Sequence, residues 1–213
     1  MWFYSFKLPK KVLTIALFAV IVFAFAFFKT SIISLPVLGK AKPIFEGSKD
    51  KKAIAFTCNV AWGNEYIPSL LSLFEEKGIK ITFFVEGRWA KNFPDFLKLI
   101  SSKGHEIGNH GYSHAHHASL SLEQNMNEIK DAEDVLYEIT GKKSTLFAPP
   151  YGEFSDLTVN AAKTMNYKLI MWSIDTVDCK KPGVDYIVNK VLDNAGNGKI
   201  VLMHPTEDTV RAL

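Results

Sequence analysis

The sequence predicts an α/β domain built on a mostly parallel sheet, and three observations carry the prediction. Short apolar runs of strand type alternate with helical stretches of nine to nineteen residues from Ala53 to Met203. The strand runs have no long polar face, so both sides of the sheet must be covered. Several of the helical stretches stop at a glycine, the residue that most easily leaves the helix in a left-handed turn.

In chain order, Ala53–Thr57 reads as the first strand. Pro68–Glu76 places Leu70, Leu71, Leu73 and Phe74 on one side of a helix that stops at Gly78. Ile81–Val85 is the second strand, and Pro94–Ser102 a helix that stops at Gly104. Ser121 with Gln124 forms a capping box for the longest helix, which ends near Gly141. Thr145–Ala148, Leu169–Trp172 and Ile200–Met203 are further strands, with helices near Asp156–Met165 and Val184–Asn194 between them. A nearly closed barrel and a doubly wound sheet satisfy this pattern equally well. Glu207–Leu213 has the look of a helix beginning as the sequence ends, which predicts a domain truncated at its C-terminus.

The N-terminus is of another kind. From Val12 to Phe28 only Thr14 is polar, Lys7, Lys10 and Lys11 precede the run, and Lys29 closes it. At about 1.5 Å per residue this is at the short end of a bilayer span. The basic flank predicts a cytoplasmic segment over residues 1–11, a transmembrane signal-anchor over 12–28, a linker over 29–50 and an exported domain over 51–213. Ala24-Phe25-Ala26 is the alternative, a cleavage site that would release a secreted protein.

Charge divides the same way. Of 25 basic and 22 acidic residues, nine and two lie in residues 1–52, leaving 16 and 20 in the rest. A mildly acidic domain has no footprint for nucleic acid. Cys58 and Cys179 are the two cysteines; export permits a disulfide, and spacing alone does not decide between a bridge and two thiols.

In α/β folds the working residues gather past the carboxyl ends of the strands. There the sequence offers His110 and His114, four apart and on one face if the local chain is helical, and His204 at the end of another strand. Together they suggest a metal centre. His105 reads as structural, and His116 and His117 as a solvated loop.

Five segments in order resemble the polysaccharide deacetylase (NodB-homology) family. Thr82-Phe83-Phe84-Val85 is similar to its second strand, and Gly104–His114 to its second motif. Pro149-Pro150-Tyr151-Gly152 is similar to the third, Asp175–Asp178 to the fourth and Val201-Leu202-Met203-His204 to the fifth.

The resemblance implies a distorted (β/α) barrel in which a divalent metal, zinc in the first instance, is held by an aspartate and two histidines. The metal's water attacks the acetamide of an N-acetylglucosamine-containing cell-wall polysaccharide or peptidoglycan. His110 and His114 match the metal ligands, His204 the general acid and Asp178 its orienting carboxylate, with Asp175 the lesser candidate. The backbone N–H of Tyr151 matches the oxyanion donor, and Trp62, Pro149, Pro150 and Tyr151 fall where the sugar would lie.

The sequence departs from the pattern where the chemistry is most exacting. The paired aspartates, base and metal ligand, fall on Asn59 and Val60, which offer neither a proton acceptor near neutral pH nor a lone pair for a metal. The third motif's arginine falls on Ala148 and the fourth motif's tryptophan on Cys179. An arginine facing a neutral Asn would be an unpaired buried charge, so these losses belong together. Glu86 or Glu65 could replace the lost carboxylate, or Glu65 could simply begin the next helix. Two functions follow: an N-acetyl hydrolase, favoured by the retained Asp178 and His204, or a catalytically impaired glycan-binding homologue.

Overall fold

A computed structural model describes residues 42–213. Strands and helices alternate as β1 (Ala55–Val60), α1 (Ile67–Glu76), β2 (Thr82–Val85), α2 (Gly87–Asn92), α3 (Pro94–Ser102), β3 (Glu106–Asn109) and α4 (Leu122–Thr140). They continue as β4 (Leu146–Phe147), α5 (Asp156–Thr164), β5 (Lys168–Leu169), β6 (Ile174–Asp175), α6 (Val184–Leu192), β7 (Ile200–Met203) and α7 (Glu207–Ala212). The seven strands form one sheet in the order β5-β4-β3-β2-β1-β7-β6, and every pair is parallel.

Its two edge strands, β5 and β6, are consecutive in sequence, with residues 170–173 between them. The five Cα–Cα steps from Leu169 to Ile174 reach roughly 18 Å at most. Strands at opposite edges of a flat seven-stranded sheet would lie roughly 29 Å apart at their usual spacing. The sheet therefore curls into a half-barrel, as the resemblance implied.

The core follows from the helix stripes. α1 buries Ile67, Leu70, Leu71 and Phe74, spaced three and four apart, against Cys58, Val60 and Phe83 of the sheet. α3 adds Leu97 and Ile100. The capping box on α4 forms as read from the sequence, and the helix ends on Gly141 with φ 67°. Gly108 lets β3 lie close to β2: a Cβ there would sit 2.3 Å from the Phe84 ring.

Several elements differ from the sequence reading. β1 begins two residues later than expected. Leu169–Trp172 is no single strand; the chain splits there into β5 and β6 at the two edges. Glu207–Ala212 does form a helix, capped by Thr206, and Val210 and Leu213 pack on the core. Nor is the chain up to residue 50 all linker. The Ile44 N–H donates to Leu169 O and its carbonyl accepts from Met171 N–H, while the Gly47 N–H donates to Gly198 O. Glu46 pairs with Lys199. From Ile44 onward, therefore, the chain belongs to the domain. The expected membrane helix over 12–28 lies outside the described residues; among those, no helix is long and apolar enough to cross a membrane. Cys58, buried, and Cys179, exposed, are both free thiols.

Candidate functional site

The histidine-bearing loop leaves β3 at Asn109 and is not helical. Gly111 at φ 73° and His114 at φ 57° turn it back on itself, so the two rings meet through a left-handed turn and not on a helix face. Their centroids lie 5.2 Å apart at 71°. α4 clamps the loop from behind. The Glu128 carboxylate accepts the N–H groups of Tyr112 and Ser113 at 2.9 and 2.8 Å and the Ser113 hydroxyl at 2.6 Å. Asn109 Nδ2 donates to Ile129 O, and its Oδ1 accepts from Gly111 N–H, both at 2.8 Å. His117, expected in solvent, is fully buried: its Nδ1 lies 2.7 Å from Asn125 Oδ1. His105 is structural as expected, its Nδ1 accepting from Ile81 N–H at 3.2 Å.

His110 is 2% exposed, and its Nδ1 lies 2.7 Å from the Ala148 carbonyl. A carbonyl only accepts, so Nδ1 carries the hydrogen and Nε2 keeps its lone pair. Burial first, and then the neighbouring His114 ring, push its pKa down to about 3, so the ring is neutral. Burial, then His204 and His116, lower His114 as well.

Asp178 is 0% exposed and meets three donors. Oδ1 lies 2.8 Å from His204 Nδ1, while Oδ2 accepts the His204 N–H at 2.6 Å and the Thr209 hydroxyl at 2.5 Å. Burial alone would raise its carboxyl; the bonds from His204 and Thr209 outweigh it and hold the group below the usual range. The imidazole therefore donates its Nδ1–H to the carboxylate and has Nε2 as its remaining nitrogen. Thr209 was not foreseen from sequence, since no local pattern marks a residue 31 positions from its partner.

A hollow of about 280 Å³ lies over these groups. Asn59, His110, His114 and His204 line it, with Trp62 and Tyr151 at the sides. Trp172, Asp175 and Cys179 complete the wall, and no lysine or arginine is among the lining residues. Trp62 stacks on His204 at 5.8 Å and 8°, and exposed Tyr151 sits against His114 at 4.6 Å and on His116 at 4.2 Å. His116 in turn meets Glu153 at 2.9 Å. Buried Pro149 and Pro150 set the turn that carries Tyr151 without lining the hollow themselves.

The substituted positions have been absorbed into the fold. Val60 is fully buried in the apolar cluster with Ile67 and Leu70. Ala148 packs with Phe84, Ile170 and Ile200. Asn59 lines the hollow at 5% exposure, and its Oδ1 is a buried acceptor without a partner. Neither acidic replacement reaches the hollow. Glu86 caps α2, accepting the Trp89 N–H at 2.7 Å, and burial raises its carboxyl. Glu65 is exposed on a turn before α1.

These donors do not fit a resident divalent ion of the Asp-His-His kind. Two neutral imidazoles remain, the seat of the anionic ligand is a core valine, and three protein ligands are the usual minimum for zinc. Asp178, Cys179 and His204 do bring potential ligand atoms within 4.8 Å of one another. Yet the Asp178 carboxylate is already engaged by three donors, and an Oδ1–Nδ1 separation of 2.8 Å is that of a hydrogen bond.

The polysaccharide deacetylase family profile matches residues 46–170, and the chain belongs to this family. It is 37% identical over 172 residues to the uncharacterized protein YlxY of Bacillus subtilis, covering 81% of this chain and 54% of that one. It is 35% identical over 162 residues to a peptidoglycan-N-acetylglucosamine deacetylase of Bacillus cereus, covering 76% of this chain and 59% of the other. The chain thus spans a little over half the length of both. Among solved structures it is similar to BA3943, a CE4 family pseudoenzyme from Bacillus anthracis, at TM-score 0.79 and 39% identity, covering 80% of this chain and 61% of that one. A mutant of BA3943 is described as having restored enzymatic activity.

Proposed function

We propose that this protein is a non-catalytic, glycan-binding member of the polysaccharide deacetylase family, tethered through residues 12–28 on the outer face of the cell membrane. One observation carries the reading: the seats of base, metal ligand and arginine hold a neutral amide, a core valine and a core alanine. Amide hydrolysis needs a group that takes the attacking water's proton and a cation that polarises the carbonyl. Asn59 cannot do the first near neutral pH, and the two imidazoles lack the anion that would complete the second. What remains is a hollow with aromatic sides, suited to the apolar faces of sugar rings. The naming of BA3943 as a pseudoenzyme supports the same reading, and the deacetylase relatives point to peptidoglycan as the polymer.

The geometry of Asp178 and His204 favours a second reading, an active N-acetyl hydrolase, because that pair has the arrangement of a general acid and its orienting carboxylate. An acetate-release assay with zinc added, on peptidoglycan and on N-acetylglucosamine oligomers, separates the two. The glycan-binding reading expects saturable binding with no acetate. Acetate release by the parent protein that is lost in His204→Ala would establish the hydrolase instead. Under the glycan-binding reading, Asn59→Asp with Val60→Asp and Ala148→Arg together bring turnover back.

A further inference from the structure

We propose that the hollow receives the primary ammonium group of a de-N-acetylated amino sugar in preference to an intact acetamide. This inference rests on the glycan-binding reading and names the chemical class of its ligand.

The hollow is rich in acceptors and holds no cationic side chain. The Nδ1 atoms are engaged from behind, His110 by the Ala148 carbonyl and His204 by the Asp178 carboxylate, so Nε2 is the nitrogen each ring has left for a ligand. Asn59 Oδ1 is a buried acceptor with no partner in the fold. Asp175 supplies the one lining carboxylate, and no lysine or arginine opposes it. The donors that the lining residues carry, the Asn59 amide, the Tyr151 hydroxyl and the indole N–H groups of Trp62 and Trp172, are neutral, so no cation balances Asp175.

A ligand that completes this set must bring donors and positive charge. An acetamide brings one N–H and a carbonyl oxygen that would face lone pairs. An ammonium brings three N–H groups and a unit charge, and Trp62, Tyr151 and Trp172 offer ring faces that suit a cation as well as a sugar. In the family pattern a metal cation faces the acetamide and an arginine orients the base. With neither seat filled, the ligand's own cation supplies the positive charge. The glycan recognised here is accordingly one that an N-deacetylase has already processed.

The test is calorimetric titration of the full chain, in neutral metal-free buffer, with β-1,4-linked glucosamine tetramers in fully N-acetylated and fully de-N-acetylated form. The de-N-acetylated tetramer is expected to bind on the order of ten-fold more tightly. That preference is expected to shrink several-fold in Asp175→Asn, which keeps the oxygen that accepts from Val177 N–H, and in Asn59→Leu, with melting temperatures reporting that both variants fold. Equal or tighter binding of the N-acetylated tetramer overturns this inference and leaves the glycan-binding reading standing. A preference that both variants retain also overturns it, since the ammonium then binds elsewhere. If neither tetramer binds, both readings fall, and release of acetate removes the non-catalytic reading on which this one rests.

Discussion

Asp178 holds His204 twice, through the imidazole at 2.8 Å and through the backbone N–H at 2.6 Å, and Thr209 of α7 supplies the third hydrogen bond to the same carboxylate. His204, which lines the hollow, is thus held by a carboxylate that α7 buttresses from behind. Thr209→Val removes a donor from a buried carboxylate and is expected to cost about 1.5–3 kcal/mol. Thr209→Ser, which keeps the hydroxyl, should cost less. Urea midpoints measure the difference, and equal losses in the two variants would show that the methyl, not the hydroxyl, matters.

Stability is expected to fall on acidification. Burial holds His105, His110 and His117 below the ordinary imidazole pKa, so each stays neutral in the fold after the unfolded chain has taken up its proton. Their contribution is fully present above about pH 6.5 and is lost as the pH falls from there towards the folded values. For His110, whose folded value is about 3, the loss reaches about 2 kcal/mol by pH 5. Asp178, depressed in the fold, adds a further loss only as the pH falls below the ordinary aspartate value, while Glu86, raised by burial, works the other way at higher pH, between its folded value and the ordinary glutamate one. Chemical denaturation at pH 7 and pH 5 in metal-free buffer reads the sign. A midpoint that rises at pH 5 would contradict the burial of neutral rings.

Glu128 spans the turn that carries His114, its two oxygens meeting three donors of Tyr112 and Ser113. Glu128→Ala leaves those donors without their partner and is expected to cost about 1–3 kcal/mol. Amide exchange at Tyr112 and Ser113 should speed up while that of β2 stays slow. Uniform acceleration across the domain would instead mean that Glu128 supports the whole fold and not the loop.

Local signals were legible in the sequence and long-range partners were not. The stripe on α1, the Ser121–Gln124 box and the strand-end position of His204 depend on neighbours within a few residues, and all three appear as read. His117 was misplaced in solvent because its cover, Asn125 on α4, is recruited by the fold of the loop and not by spacing. β5 and β6 are two residues each, too short for periodicity to show, and exist because the curled sheet offers them partners. At the site, the sequence pointed by spacing and strand-end position to His110, His114 and His204, which do meet at one hollow. It left open whether Glu86 could serve there; a helix-capping bond to Trp89 N–H answers that.

Val60 gives the sharpest test of whether the metal seat has been lost. The side chain is fully buried beside Ile67 and Leu70, where a lone carboxylate would be desolvated without a partner. Val60→Asp is therefore expected to destabilise the metal-free protein by about 3 kcal/mol or more, either as a buried charge or as a carboxyl forced to keep its proton. Zinc changes the balance only in the variant, where a third, anionic ligand can join His110 and His114. At a concentration a hundred times its dissociation constant it would return about 2.7 kcal/mol. The parent, with two neutral imidazoles, should gain little. Urea unfolding of both proteins with and without zinc reads all four states. Equal stabilisation of parent and variant would mean that the histidines grip the ion without a carboxylate, and the case against a resident metal would have to be abandoned.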